Sequence, residues 1–363
     1  MPRERRPETD CVPAIPTSFE IERAAAILRA GGLVAFPTET VYGLGADASN
    51  PAAVAKIFAV KGRPQDHPVI VHLGRIELLP LWAGEITTAA HKLAAAFWPG
   101  PLTLILKRAG GVPNCVTGGQ DTVGLRIPGH PVALELLQAF AGDEGGRRFS
   151  GVAAPSANKF GRISPTTAEH VRAELGDAVD CVLDGGECGV GIESTIVDLS
   201  RGRAVLLRPG RITPAQIAAV LDAEVELPDA AAPRVSGALA SHYAPRTPLD
   251  LVAASELPAR LAALRGKKLA VLARAEAPAG LKDVRWHSAP RAAAAYAHDL
   301  YASLRRLDAL GCAVILVEAP PAAPEWQGVN DRLRRASSKG LEAVADLAKL
   351  PLTQGSTGGR VPQ

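Results

Sequence analysis

An apolar run, Leu33-Val-Ala-Phe36, is cut off by Pro37 and passes straight into a segment holding Thr38, Thr40, Tyr42, Gly43 and Gly45, and Lys61-Gly-Arg-Pro64 follows one short helix later. Four apolar residues closed by a breaker read as a buried strand. The hydroxyls and bare glycine backbone behind it let a small polar ligand approach the chain closely. Lys61 and Arg63, with Gly62 and Pro64 fixing the loop around them, supply a point charge and a planar fork, both suited to oxyanions. Taken singly, the threonines also read as turn caps and the two cations as a solvated face. Together they are the build of an anionic-ligand pocket at the end of a strand.

With 363 residues, 47% hydrophobic and 21% charged, the chain can bury a sizeable core and is expected to divide into two domains. Its net charge of +3, with basic residues spread along the sequence, does not require a nucleic-acid coat. The five cysteines, Cys11, Cys115, Cys181, Cys188 and Cys312, are odd in number and lack C-x-x-C spacing. That disfavours a disulfide framework or a zinc site and suits buried thiols in a reducing compartment. Met1 to Asp10 is charged, no apolar signal segment follows, and no apolar stretch reaches membrane-spanning length. The expectation is a cytoplasmic protein with a flexible leader over 1–17.

Periodicity predicts helices over Ser18 to Ala30, Pro51 to Phe58, Thr87 to Phe97, Pro131 to Phe140, Thr166 to Leu175 and Thr213 to Leu221. Asn50-Pro51 and Thr213-Pro214 place a cap before a first-turn proline, and Thr166 with Glu169 suits a capping box. Short strands are expected at Val69 to Leu73, Leu102 to Lys107, Val123 to Ile127, Val152 to Ala154, Cys181 to Leu183, Thr195 to Leu199 and Val205 to Leu207. Such interspersion argues for an α/β fold. A first domain over 18–222 gives way to a linker-like Ala, Pro, Ser and Gly composition over 223–248. Strands at Leu269 to Leu272 and Ala313 to Val317, around an Ala-rich helix near Pro290 to Leu310, then suggest a smaller Rossmann-like domain over 249–350, with a flexible tail over 351–363. No G-x-G-x-x-G supports dinucleotide binding there.

Further clusters fall at expected strand ends. Thr122-Val-Gly-Leu-Arg-Ile-Pro128 puts Thr122, Gly124 and Arg126 on one side of a strand and Val123, Leu125 and Ile127 on the other. Ser156, Asn158 and Ser164 close another strand, and Ser194, Thr195 and Arg208 sit where open α/β sheets bind ligands. No G-x-S-x-G, Walker A, H-E-x-x-H or C-x-x-C sequence is present, so nucleophilic, P-loop and zinc mechanisms have no motif behind them. Hydroxyls, amides and cations remain, which suits catalysis by positioning and charge neutralisation.

In their order along the chain, Phe36-Pro-Thr-Glu-Thr-Val-Tyr-Gly-Leu-Gly45, Lys61-Gly-Arg-Pro64, Val123-Gly-Leu-Arg-Ile-Pro128, Pro155-Ser-Ala-Asn158, Ser164-Pro-Thr166, Glu193-Ser-Thr195 and Arg208-Pro-Gly210 resemble the Sua5/YciO/YrdC family. His242-Tyr-Ala-Pro245 and the second domain resemble its two-domain Sua5 type. The resemblance implies a YrdC-like twisted mixed sheet with flanking helices, followed by a smaller Rossmann-like Sua5 domain. The implied activity is synthesis of L-threonylcarbamoyl-AMP and pyrophosphate from ATP, L-threonine and bicarbonate, with Mg²⁺ accompanying ATP and no metal held by the protein itself. The product would pass to a tRNA threonylcarbamoyl transferase complex, with weak or transient tRNA contact and no membrane.

By the same resemblance Thr40, His72, Arg126, Ala154 and Ser194 line the threonine site. Lys61, Arg63, His67, Thr122, Ser156, Asn158, Ser164, Arg208, His242 and Tyr243 hold ATP, and Lys61 and Arg63 are the catalytic cations. Val235-Ser-Gly-Ala-Leu239 departs from the family's Pro-Gly-Met in the linker, and Phe160 replaces a small polar residue at the rim of the pocket. The basic residues between Trp326 and Arg335 read as a solvated face in preference to a docking surface. Two rival functions are an RNA-binding module, which the 4% aromatic content weakens, and a carbamoyl-transfer factor of hydrogenase maturation, whose zinc motifs are missing here.

Overall fold

The chain is described by a computed structural model over residues 15–142 and 150–337. Most of the expected leader, positions 338–350 and the expected tail lie outside the described residues. The run after Leu33 forms β1 (Val34–Phe36), as expected, but the segment beyond it is not turn throughout. Gly43–Asp47 forms β2, antiparallel to β1. Gly45 makes this pairing possible: a Cβ there would lie 2.8 Å from the Phe36 ring and 2.9 Å from Val152.

Seven further strands complete a mixed sheet: β3 (Ile70–His72), β4 (Leu102–Lys107), β5 (Thr122–Arg126), β6 (Val152–Ala153), β7 (Cys181–Val182), β8 (Thr195–Asp198) and β9 (Val205–Arg208). Their order is β7-β1-β2-β6-β3-β5-β4-β8-β9. β3 and β5 run parallel with Ile70 opposite Gly124 and His72 opposite Arg126, so the two polar side chains share one face.

Helices form where periodicity places them: Pro51–Lys61, Thr88–Phe97, Ala168–Leu175 and Pro214–Leu221 pack on the opposite face with Ala35, Leu44 and Leu125, while Ser18–Arg29 and Pro131–Ala141 cover Val34, Phe36 and Val152 on the face that His72 shares. The helix after Asn50 runs to Lys61, which is its last residue and not a residue beyond its end, and Gly62 stops it in the left-handed conformation at φ 63°. Thr213 forms a capping box with Gln216. The cap expected at Thr166 is made one residue later, where Thr167 accepts from the His170 N–H.

The second sheet is wholly parallel. β10 (Leu249–Val252), β11 (Leu269–Ala273), β12 (Val284–Ser288) and β13 (Val314–Glu318) lie in the order β10-β13-β11-β12. The expected strand–helix–strand unit is present as β11, Ala293–Asp308 and β13, with β12 as an edge strand that its polar alternation concealed. Helix Gln327–Ser337 returns toward the first sheet. One apolar cluster joins the two parts, packing Val41, Ile163 and Ile192 with Tyr243, Tyr301 and Leu333. Two glycines allow the approach: a Cβ on Gly191 would sit 2.4 Å from the Ala297 carbonyl, and one on Gly328 3.1 Å from the Gly210 carbonyl. Among the described residues no helix is long and apolar enough to cross a membrane.

Candidate active site

Around β3 and β5 the first sheet is polar and opens into a narrow cleft lined by Thr40, Lys61, Arg63, His72, Arg126 and Arg208. β5 supplies its floor. Val123 and Leu125 turn into the apolar cluster beneath, while Gly124 leaves a gap beside Ile70 and Arg126 projects at the strand end. Arg126 donates from Nε to the Gly100 carbonyl at 3.2 Å and from Nη2 to Thr40 Oγ1 at 3.0 Å. Its Nη2 also lies 2.8 Å from Glu39 Oε1. Thr38 donates its single hydroxyl proton to the Val41 carbonyl, so at the 2.8 Å Thr38–Thr40 contact Thr40 is the donor. The Thr40 hydroxyl is thereby fixed between Thr38 and Arg126.

Three more buried cations line the cleft. Arg208, at the end of β9, donates to the Ser194 carbonyl, to Ser194 Oγ and to the Ser236 carbonyl at 2.9–3.0 Å. Ser194 Oγ is also 2.8 Å from Thr103 Oγ1 on β4. Arg63 donates to the Pro68 carbonyl at 2.8 Å, lies over the Phe160 ring, and keeps its Nε without a partner. Burial lowers its pKa to about 10. Lys61 donates to the main-chain carbonyls of Ser156 and Asn158. Burial, and then the neighbouring Arg63, hold its pKa well below the usual lysine value. Its first role is therefore to hold the loop that presents Ser156, with one N–H left over.

Residues 234–243 cross above the sheet. Gly237 has φ 78°, and a Cβ there would meet Tyr243 Oη at 2.1 Å and Arg208 Nη1 at 3.0 Å, so only glycine fits. Tyr243 itself is buried at φ 61°, an uncommon conformation for an aromatic residue, held in place by its surroundings. The Tyr243 hydroxyl, His242 Nδ1 and His72 Nδ1 are buried with no hydrogen-bond partner among the described residues. Burial pushes both imidazoles down to about 3, Arg126 adding to the effect at His72, so both are neutral at pH 7. Unpartnered polar atoms around a cationic cleft are free to meet a ligand.

Of the residues assigned to the threonine and ATP sites, Thr40, Lys61, Arg63, His72, Arg126, Ala154, Ser156, Ser194, Arg208, His242 and Tyr243 all line this one cleft. Four do not. Thr122 opens into an adjoining hollow with Gln120 and Gly124. His67 lines another, with Phe160 and Arg234. The Asn158 amide ties its own loop, donating to the Lys159 and Arg162 carbonyls. The Ser164 hydroxyl donates to Glu193. Tyr42, read as a ligand-holding hydroxyl, instead donates to the Gly186 carbonyl and accepts from the Gly185 N–H.

The sequence reading quoted Glu193 and Ser236 without giving either a role, and it misjudged Arg332. Glu193 lines the cleft, with its carboxylate held at 2.9 Å by Tyr301 and at 2.7 Å by Arg332. Burial alone would raise its pKa, but Arg332 and Arg208 win and lower it to about 2. Arg332 is only 1% exposed, and Arg335 donates to Asp331 and to the Ala238 carbonyl, so the expected solvated face fails at both; Arg334 is exposed, as expected. The signal available was amphipathic spacing: Val329, Arg332, Leu333 and Ala336 fall on one face of the helix.

The assembly can bind a polyanion and a small zwitterion side by side, orient them with hydroxyls, and neutralise charge that develops on a phosphate. The sequence family described as "Telomere recombination", Sua5/YciO/YrdC, matches residues 26–210, and that described as "Threonylcarbamoyl-AMP synthase, C-terminal domain" matches residues 212–338. Threonylcarbamoyl-AMP synthase of Pyrococcus abyssi is 38% identical over 88% of this chain and 94% of its own length. The enzyme of that name from Bacillus subtilis is 40% identical over 88% and 93%. The crystal structure of P. abyssi Sua5 complexed with L-threonine superposes with a TM-score of 0.82 at 36% identity, over 89% of this chain and 96% of that one. A cleft of this composition on matching architecture, shared along nearly the whole length of both relatives, means that the chain belongs to the Sua5/YciO/YrdC family, among its two-domain threonylcarbamoyl-AMP synthases.

Proposed function

We propose that this enzyme joins ATP, L-threonine and bicarbonate into L-threonylcarbamoyl-AMP and pyrophosphate, the first step in forming N6-threonylcarbamoyladenosine on tRNA. The observation that carries the reading is the convergence of Lys61, Arg63, Arg126 and Arg208 on a hydroxyl-lined cleft roofed by residues 236–243. Arg126 and Thr40, with the neutral His72 alongside, take the threonine carboxylate and hydroxyl, and Ala154 and Ser194 shape the same pocket. Arg63, Arg208 and the remaining N–H of Lys61 face the triphosphate, with Ser156, His242 and Tyr243 beside it. Thr122 and His67, in the adjoining hollows, serve outlying parts of the nucleotide, and Asn158 and Ser164 act by holding loops.

Threonine's neutral amine adds to CO₂ with release of a proton, or to bicarbonate with loss of water, to give a carbamate. A carbamate oxygen attacks the α-phosphate, and pyrophosphate leaves among the cations, which stabilise the charge that builds on it. Among the described residues no cluster of three or more His, Cys, Asp or Glu could hold a metal ion. Glu193, the carboxylate in the cleft lining, is already engaged by Ser164, Tyr301 and Arg332. Mg²⁺ would enter with ATP, where it would lower the charge of the leaving group.

The product passes to a tRNA threonylcarbamoyl transferase complex in the cytoplasm, with at most transient tRNA contact by this chain. The test is pyrophosphate release from ATP, Mg²⁺ and bicarbonate, with and without L-threonine and with L-serine as control. Release that depends on threonine and bicarbonate is expected. Threonine-independent release, or none from folded protein, would contradict the reading.

A further inference from the structure

Arg332 lies on helix Gln327–Ser337 of the second domain, yet its guanidinium reaches into the wall of the cleft. It donates from Nε to Glu193 Oε2 at 2.7 Å, from Nη2 to the Glu193 carbonyl at 3.1 Å, and from Nη1 to the Pro209 carbonyl at 2.9 Å. Asp331 takes a fourth bond at 2.8 Å, and the group lies 5.2 Å from the centre of the Tyr243 ring. One side chain therefore grips the turn carrying Ser194, the loop that follows Arg208, and the segment above the cleft. Tyr301, on another helix of the second domain, supports the same carboxylate at 2.9 Å. Both residues are fully or almost fully buried, and the planar fork fixes direction as well as charge.

We propose that Arg332 and Tyr301 are positioning residues for substrate binding: through Glu193 they hold Ser194 and Arg208 in register with Arg126, so the second domain is a working part of the cleft. This rests on the reading of the cleft given under Proposed function. A lysine at 332 keeps the charge but cannot contact Glu193 Oε2, the Glu193 carbonyl and the Pro209 carbonyl at once. Ser194 and Arg208 then lose their fixed direction, and threonine binding weakens more than the chemical step, in which Arg208 is one of several cations and Arg332 and Tyr301 take no part.

The experiment is titration calorimetry with L-threonine on the full chain, with steady-state kinetics in parallel, for wild type, Arg332→Lys and Tyr301→Phe, each checked by thermal unfolding. Arg332→Lys is expected to raise the threonine Kd and KM about tenfold, the ratio that ~1.4 kcal/mol represents, with kcat falling less than about threefold. Tyr301→Phe, which removes one hydroxyl, is expected to raise both about threefold. Should Arg332→Lys fail to fold, Tyr301→Phe decides the matter. A folded variant with unchanged threonine Kd and KM, or one whose kcat falls while Kd holds, would overturn the proposal. Absence of threonine binding by wild type would instead strike at the functional reading on which the proposal rests.

Discussion

β5 and β13 are both five-residue strands buried along their whole length, yet only one of them carries chemistry. In β13, Val314 and Leu316 feed one apolar cluster and Ile315 and Val317 feed another on the opposite face. In β5 the alternation divides differently: Val123 and Leu125 enter the core, while Thr122, Gly124 and Arg126 open onto hollows. A parallel sheet covered on both faces is a rigid support. A sheet whose covering helices leave a polar opening at His72 and Arg126 is a site, and its buried cations persist because neighbouring carbonyls, hydroxyls and a carboxylate engage them. The molecule thus combines a sheet that binds with a sheet that braces.

The sharpest way to break that contrast is at Arg126. Arg126→Ala removes a charged donor from the threonine pocket, and two charge-assisted bonds at about 1.5–3 kcal/mol each imply a loss of roughly a thousandfold in kcat/KM. Steady-state kinetics on protein shown to be folded would check it; a loss below tenfold would place the threonine carboxylate elsewhere. On the bracing side, Leu316→Ala should lower unfolding stability by about 2–5 kcal/mol, read by urea titration. Its kcat/KM well below the melting temperature should stay within about twofold of wild type. A large kinetic effect there would show that β13 does more than brace.

A pH series separates the two sheets next. His72 and His242 have folded pKa values of about 3 against 6.5 when unfolded. Above pH 6.5 neither state holds the proton, and stability is at its full value. As pH falls from 6.5 toward 3 the unfolded chain binds protons that the native site refuses, and stability declines by up to ~1.4 kcal/mol per pH unit for each residue. The lowered pKa of Glu193 adds a further loss only below about 4.5. Urea midpoints at pH 7.5, 6.5 and 5.5 should fall between the last two, and His72→Gln should shrink that fall; a flat profile would mean the imidazoles are not buried as neutral groups. The smallest effect is expected from Gly237→Ala, which forces the covering segment off Tyr243 and Arg208 and should raise the ATP KM about tenfold, with a loss of about 1–2 kcal/mol of stability from the left-handed backbone.

Much of this contrast could be read from sequence because periodicity reports burial on one or two faces. The helices, the alternation in Thr122 to Ile127 and the caps at Asn50 and Thr213 all follow local rules. β2 was hidden because Gly43 and Gly45 look like turn residues while serving as close-contact strand positions, and β12 because its edge alternates polar side chains. At the site, cations next to glycine and proline were legible. The second-domain residues that clasp Glu193 were not: a buried arginine in Asp331-Arg-Leu-Arg-Arg335 looks like a solvated one until the partner carboxylate, more than a hundred residues earlier, is brought beside it.

The most direct test of the account supplies ¹³C-bicarbonate, ATP, Mg²⁺ and L-threonine to the full chain and follows the adenylate product by mass spectrometry. The account predicts threonylcarbamoyl-AMP carrying one ¹³C, formed by wild type and almost lost in Arg126→Ala. An adenylate without the label, or labelled product that forms equally well without Arg126, would contradict it.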